Sequence, residues 1–180
     1  MLQSRLFPIF TLLCVLAAPL IARAHGPTPQ KVEQNIQIAA EPAKVWVKIK
    51  DFPNIMAWHP MLAKSSGEPA AIGAKRVITL KTGGDLEESI DEINEGSMEL
   101  TYRLSKENPD AFPVSFYSAT LVVQAKDGGS EISWRSRLYR ADTTNEPQEN
   151  KNDAAAVAAM TEFFTKGLEG LKAASEVATH

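Results

Sequence analysis

Glu88 and Arg76 are the side chains in this sequence that its pattern places best for chemistry. Glu88 alternates with the apolar residues two positions before and after it, which predicts that its carboxylate points into the core. A three-residue loop over residues 83–85 would place Leu80 opposite Glu88, whereas a two-residue loop would turn Glu88 outward. A buried carboxylate needs a partner or a raised pKa, and Arg76 has the matching parity to be that partner. The pair could be a structural ion pair, a polar contact for a ligand or, with a second group, an acid–base catalyst.

The tripeptide Trp58-His59-Pro60 combines an indole with an imidazole that can titrate near neutral pH. It can be interpreted as a gate over a cavity, or as a lid whose tryptophan is buried and whose histidine is half exposed. Three further aromatic residues point inward by strand parity, so their rings either fill a core or line a cavity. These residues are Tyr102, Tyr117 and Trp134.

A metal site is only weakly indicated. His25 would be the first residue after a leader peptide, where its amino group and imidazole could together chelate Cu(II). The other histidines are His59 and His180, and no pair has metal-binding spacing. The alternative for His25 is a solvated chain terminus. The sequence offers no Ser-His-Asp, Cys-His or metal-ligand constellation, so we expect no catalytic residues, metal or cofactor.

Charged residues form two further patterns. Residues 85–99 contain seven acidic residues and no lysine or arginine, and a short basic stripe precedes Tyr139. Each pattern is either an ordinary solvated face or a docking surface that attracts a partner of opposite charge. The candidates for docking are Asp85, Glu87, Asp91, Glu92, Arg135 and Arg137.

The first 24 residues have the parts of a secretory signal peptide. Arg5 supplies the positive n-region, residues 6–20 form the apolar h-region, and Ala22-Arg23-Ala24 is a cleavage site of small residues. The apolar run is short for a membrane span and is interrupted by proline. We therefore expect cleavage after Ala24 and a mature protein in the periplasm.

Composition limits the classes of partner. The chain of 180 residues has a net charge of −3, and removal of the leader takes away two basic residues and no acidic one. A net negative charge disfavours nucleic acids and anionic membranes as partners. The single cysteine, Cys14, lies in the leader, so the mature chain can form no disulfide and depends on its core for stability.

The hydrophobic pattern around these residues predicts an α+β fold. We expect a strand over residues 32–39, two short helices, five strand patterns ending near Tyr139, and a long helix over residues 153–177. Closely spaced strands with no helices between them predict an antiparallel meander. We expect a single domain over residues 32–178, preceded by a flexible leader over residues 25–31.

The predicted C-terminal helix carries two lines of residues. An apolar stripe runs over residues 157–171, and a neighbouring line contains Phe163, Gly167, Gly170 and Ala174. The neighbouring line is nearly bare of side chains. It predicts either close packing of the helix against the sheet or room for a ligand beneath the helix.

Residues 41–60, EPAKVWVKIKDFPNIMAWHP, resemble the opening helices of the START-like superfamily, the SRPBCC or helix-grip proteins. In those proteins a P-x-x-V-W helix leads into D-F and W-x-P elements, and the predicted order of elements also matches. The resemblance implies a curved antiparallel sheet wrapped on a long C-terminal helix. It also implies that two short helices close one end of a cavity.

Short pieces along the whole mature chain carry a closer resemblance. They are HGPTPQKV at the mature start, PAKVW, YSATL, EISWRSRLYR, and AAAV and GLEGLK in the last helix. Together they are similar to the MxaD-type periplasmic accessory proteins of bacterial methanol oxidation. The resemblance implies a non-enzymatic role in electron transfer between methanol dehydrogenase and its c-type cytochrome. The alternatives are a binder or carrier of a small apolar ligand in the cavity, and a cyclase- or hydrolase-like enzyme.

Overall fold

The computed structural model describes residues 26–176. The predicted signal peptide, its cleavage after Ala24, and the candidate ligands His25 and His180 lie outside the described residues. In the part of the chain that is described, no helix is long and apolar enough to cross a membrane.

Seven strands form one antiparallel sheet. They are β1 (Gln30–Ile38), β2 (Leu62–Gly67), β3 (Lys75–Leu80), β4 (Asp85–Asn94), β5 (Glu99–Lys106), β6 (Val114–Lys126) and β7 (Gly129–Arg140). The order across the sheet is β1-β7-β6-β5-β4-β3-β2, so β2 to β7 form a meander and β1 joins it beside β7. Helix α1 (Pro42–Lys50) and a 3-10 helix (Phe52–Ala57) connect β1 to β2, and α2 (Asp153–Glu176) follows β7.

The sheet curves into a half-barrel around α2, and the core lies between them. Strand residues alternate between buried and exposed, as expected of a sheet with one face on a core. On α2 the buried residues include most of the predicted apolar stripe, together with Phe163 and Gly167 of the neighbouring line. This architecture confirms the predicted helix-grip fold.

Local sequence explains where the helices begin and how they are anchored. Pro42 occupies the first turn of α1, where its missing N–H leaves no hydrogen bond unmade. Trp46 on the buried side of α1 donates its Nε1–H to Glu95 between β4 and β5, at 2.7 Å. Asn152 caps α2, because its side-chain oxygen accepts from the backbone N–H of Ala155 at 2.9 Å.

The bounds of the strands differ from the prediction in three places. Strand β2 was not expected, because its sequence LAKSSG lacks alternation and only Leu62 is buried at this edge of the sheet. Strand β1 begins at Gln30, so the last two residues of the segment predicted to be flexible, residues 25–31, belong to the sheet. Met98 lies in the turn before β5 with a φ of 51°, although it was expected to begin the strand alternation.

The turn between β3 and β4 sets the direction of Glu88. The amide of Leu80 donates to the carbonyl of Gly84 at 3.0 Å, so the loop comprises residues 81–83. The expectation that Leu80 lies opposite Glu88 is wrong, because the register places Arg76 there. The difference is an even number of residues, so Glu88 still points into the core.

Candidate ligand-binding site

An ion pair is buried at the centre of the protein. Arg76 and Glu88 face each other across β3 and β4, and their side chains are 2% and 0% exposed. The Nε–H of Arg76 donates to Oε2 of Glu88 at 2.5 Å, which confirms the predicted pairing. A pair this deep holds its two residues firmly together, because breaking it would leave a charge in a medium of low polarity.

Tyr117 on β6 completes the coordination of the carboxylate. Its hydroxyl donates to Oε1 of Glu88 at 2.5 Å. Burial, and then the negative charge of Glu88, raise the pKa of Tyr117 well above its ordinary value, so the phenol stays protonated and remains a donor. Each oxygen of Glu88 therefore accepts one hydrogen bond from the protein.

The guanidinium of Arg76 is only partly satisfied. Its Nη1–H donates to the backbone carbonyl of Phe52 in the 3-10 helix at 3.1 Å. The planar group also lies 4.0 Å from the ring centre of Phe52 and 4.9 Å from that of Tyr102, distances typical of cation–π contacts. Nη2 has no hydrogen-bond partner among the described residues.

Tyr102 links this network to the aromatic core. Its hydroxyl accepts from Nε1–H of Trp134 on β7 at 3.1 Å. Burial is the main cause of a raised pKa for Tyr102, with the charge of Glu88 acting in the same direction. Trp134 stacks on Phe164 of α2 with ring centres 4.4 Å apart. As their strand parity predicts, Tyr102 and Trp134 both point inward and are buried.

His59 is buried, although a half-exposed histidine was one of the expectations for it. The side chain lies beside Phe163 of α2, with ring centres 4.0 Å apart, and His59 is 1% exposed. Its Nδ1 accepts from the backbone N–H of Met61 at 3.3 Å, so the neutral imidazole carries its proton on Nε2. Nε2 has no partner with hydrogen-bonding geometry among the described residues.

The surroundings of His59 keep it neutral. Burial, and then the positive charge of Arg76, lower the pKa of His59 from 6.5 to about 3. The carbonyl of Phe163 acts in the opposite direction and is outweighed. Among the described residues, the buried donors without a hydrogen-bond partner therefore include Nε2–H of His59, Nη2–H of Arg76 and the hydroxyl of Ser136.

Side chains fill the region between the sheet and α2. The remaining interior space has a volume of about 200 Å³, all of it in gaps too narrow to admit a water molecule. Its lining is Leu86, Tyr102, Phe112, Tyr117, Met160, Phe163 and Phe164. The two tyrosines therefore belong both to the polar network and to the wall of this apolar space. The sequence pattern named Phe163 only as part of the bare line on the last helix and did not single out Phe112, because a ring in a loop has no strand parity to mark it.

The bare line on α2 contacts the Trp58-His59-Pro60 tripeptide and leaves no room there for a ligand. A Cβ atom on Gly167 would lie 2.8 Å from the imidazole of His59. A Cβ atom on Gly170 would overlap the carbonyl oxygen of Trp58. Of the two predictions for this line, the structure supports close packing, although the partner is a turn as well as the sheet.

The predicted docking residues lie away from this site. Cross-strand ion pairs join Glu87 to Lys75 at 2.8 Å, Asp91 to Arg103 at 2.6 Å, and Arg135 to Glu99 at 3.1 Å. Asp85 accepts from the hydroxyl of Thr79, whereas Glu92 and Arg137 are exposed and have no ion-pair partner within residues 26–176. Acidic and basic residues thus neutralise one another on the sheet, and exposed pairs of this kind contribute only about 0–1 kcal/mol. Within the same described range, no group of three His, Cys, Asp or Glu residues could hold a metal ion.

Comparison with known families places the chain. Residues 29–176 match the model of the family described as polyketide cyclase / dehydrase and lipid transport. The chain belongs to this family. The description covers both proteins that bind ligands and proteins that transform them, so membership indicates a ligand-binding fold and leaves open whether the chain is an enzyme.

Several solved structures have the same fold as this chain. Protein XoxI from Bacillus cereus has a TM-score of 0.67 at 20% identity, over 83% of this chain and 98% of that one. An uncharacterised protein from Bacillus thuringiensis has a TM-score of 0.65 at 20% identity, over 81% and 98% of the two chains. A Thermobifida fusca protein has a TM-score of 0.64 at 25% identity, over 83% and 95%. No curated protein sequence matches the chain.

Proposed function

We propose that this protein is a non-enzymatic binding protein that takes a small, mostly apolar molecule into the space between the sheet and α2. The observation that carries the proposal is the pair of buried donors without acceptors, on His59 and Arg76. Nearly all buried donors in folded proteins are satisfied, and an unsatisfied one costs about 1–3 kcal/mol, more if charged. A bound molecule with an oxygen near either donor would remove that cost.

The walls of the site define the class of ligand. The interior space is lined by apolar and aromatic side chains, so most of the ligand should be apolar. The unpaired groups of His59 and Arg76 both donate, so the ligand should carry an acceptor such as a carbonyl or carboxylate oxygen. An ammonium group near the guanidinium of Arg76 would be repelled by its positive charge. Ligand sites usually have volumes of about 300–1,000 Å³, so binding requires the lining side chains to move apart.

The bonding of Glu88 supports a binding role over a catalytic one. Both of its oxygens are already engaged, one by Arg76 and one by Tyr117. A general acid or base must reach the proton of its substrate, and this carboxylate would first have to give up one of those bonds. His59, the other group that could transfer a proton, is held neutral by its burial and by Arg76.

Titration with two ligands of matched shape tests the proposal. Decanoate and decylammonium have chains of the same length, but only decanoate offers acceptor oxygens. By isothermal titration calorimetry we expect decanoate to bind the purified protein at a single site, and decylammonium to bind at least about tenfold more weakly. Because the protein is acidic, non-specific attraction would favour the opposite order. Absence of decanoate binding, or equal binding of the two, would overturn the proposal.

A second function is favoured by the pieces of sequence that resemble the MxaD-type proteins along the mature chain. In this proposal the protein is located in the periplasm and assists electron transfer from methanol dehydrogenase to its c-type cytochrome. The outer face of the sheet would supply the contact, because Glu92 and Arg137 are exposed there and no partner within residues 26–176 neutralises them. Such charges change association rates more than final affinity.

Reduction of the cytochrome can be followed after purified protein is added to methanol dehydrogenase. We expect the initial rate to rise at low salt and the increase to shrink as salt screens the contact. The variant Arg137→Glu should give a smaller increase than Lys166→Glu, a control on α2 at the other side of the sheet. An unchanged rate at both low and moderate salt would rule out the accessory role.

A further inference from the structure

A groove on the outside of the protein leads toward the candidate site. It lies where the 3-10 helix and β2 meet the C-terminal half of α2, and its volume is about 400 Å³. Its lining includes Met56, Trp58, His59, Pro60, Gly170 and Ala174. Met56 is 45% exposed on its rim, so an apolar surface is open to solvent there.

Only aromatic rings separate the groove from the interior. His59 lines the groove, and the face of its ring lies on Phe163 with centres 4.0 Å apart. Phe163 in turn lines the interior space on the other side. Trp58 and Trp134 extend the same partition, with ring centres 5.9 Å apart. The partition is therefore about one histidine and one phenylalanine thick.

The segment that carries His59, residues 57–61 (the gate turn), meets α2 mainly through close packing. Gly167 and Gly170 admit it so closely that a Cβ atom at either position would collide with it. Within residues 26–176, no hydrogen bond with good geometry and no ion pair joins the gate turn to α2. The bonds of the turn run instead to its own neighbours, for example from Trp58 to the carbonyl of Lys48 at 3.3 Å. Moving the turn off the helix would therefore break no well-formed hydrogen bond and would give up only the contact of the imidazole with the Phe163 carbonyl.

We infer that the gate turn is the entrance to the interior site, and that the ring of His59 must swing aside to admit a ligand. The unpaired Nε2–H of His59 gives the moving ring a second role, since it can donate to the ligand's acceptor oxygen as the molecule passes inward. Arg76 has the second unpaired donor, and its guanidinium lies 4.9 Å from the ring centre of Tyr102, which lines the interior space. The expected ligand is thus an apolar molecule with an acceptor oxygen, and the inference rests on the proposed binding function.

Entry rates test the gate separately from binding itself. The probe is anilinonaphthalene sulfonate, an apolar molecule with acceptor oxygens that fluoresces when it leaves water, mixed with protein in a stopped-flow instrument. Where a lid limits entry, removing it raises the association rate, and we expect His59→Ala to bind the probe at least about tenfold faster than the wild type. Gly170→Ala should also accelerate entry, because its methyl group would keep the turn off the helix.

Ile55→Ala is the matched control. Ile55 lies in the 3-10 helix that leads into the gate turn and is 1% exposed. Its side chain lines neither the groove nor the interior space. Loss of its side chain should destabilise the protein comparably and leave the entry rate near that of the wild type. Faster entry in His59→Ala and Gly170→Ala, but not in Ile55→Ala, supports the gate. Equal rates in all four proteins, with the probe bound and displaced by decanoate, would overturn the gate and leave the binding function standing. If neither the probe nor decanoate binds any of them, the binding function fails and the gate with it.

Discussion

Replacing Glu88 with glutamine should cost the protein a large part of its stability. The variant keeps the shape of the side chain and removes its charge. Arg76, which is 2% exposed, would then keep only the Phe52 carbonyl and the rings of Phe52 and Tyr102 as partners for its positive charge. Removing one member of a buried ion pair typically costs about 3–5 kcal/mol. Against a usual domain stability of about 5–15 kcal/mol, that is about a fifth or more of the total. For a domain of this size the melting temperature should fall by roughly 6–20 °C.

Urea denaturation followed by far-ultraviolet circular dichroism measures the change, and the sequence supplies a matched control. Glu87 is the neighbouring residue, has the same side chain and pairs with Lys75, but it points to the solvent side of the sheet. That pair is 27% and 58% exposed, so Glu87→Gln should cost less than about 1 kcal/mol. The comparison isolates burial, because charge, strand and residue type are the same.

The double variant Arg76→Met/Glu88→Leu separates the cost of an unpaired charge from the value of the pair. Apolar replacement of a whole buried pair is often neutral or stabilising, so the double variant should be more stable than Glu88→Gln alone. The reasoning would be refuted if Glu88→Gln and Glu87→Gln lost similar free energies of unfolding. It would also fail if the double variant were the least stable protein of the set.

Three further outcomes follow from individual contacts. Because burial lowers the pKa of His59 to about 3 from 6.5, the unfolded chain binds the extra proton, so stability should fall as pH drops from about 6.5 toward 3. Between about pH 7 and 4.5, urea titrations should show that the wild type loses about 2–3 kcal/mol more free energy of unfolding than His59→Phe does. Parallel pH profiles of the two proteins would contradict this expectation. Asn152→Ala should cost about 1 kcal/mol, since the cap to Ala155 is lost, and an unchanged urea midpoint would show that the cap contributes nothing. Trp46→Phe should lower the urea midpoint, because the bond from the indole N–H to Glu95 is lost, and an unchanged midpoint would show that this bond contributes nothing. Glu95→Gln should lower the midpoint less, because the amide oxygen of glutamine can still accept from the indole.

The fold could be predicted from the sequence where one pattern decided one feature. Strand alternation fixed the inward direction of Glu88, Tyr102, Tyr117 and Trp134, because a period of two leaves only two choices. Alternation says nothing about an edge strand with few apolar residues, and β2 was missed for that reason. Which residue lies opposite another in a hairpin depends on the position of the loop as well as on parity. Parity identified Arg76 as the partner of Glu88, although the loop was predicted over residues 83–85 and lies over residues 81–83.

The candidate site was harder to predict, because it is made by long-range contacts. The Phe52 carbonyl that receives Arg76 is a backbone group, and no side-chain pattern marks it. The burial of His59 depends on two glycines more than a hundred residues later, which allow α2 to approach the turn. The glycine line was visible in the sequence, but which surface would press against it was not.

The contact between Trp58 and Trp134 gives the protein a built-in optical reporter. The chain has three tryptophans, and these two lie at 63° with ring centres 5.9 Å apart, while Trp46 lies apart on α1. Two indoles this close and this inclined couple their excited states, which produces a paired signal of opposite signs in far-ultraviolet circular dichroism, where the strongest indole absorption lies. One indole is on the gate turn and the other is fixed in β7. The size of the paired signal therefore follows the position of the turn, and it can be watched in the unlabelled protein under any condition of solvent or partner.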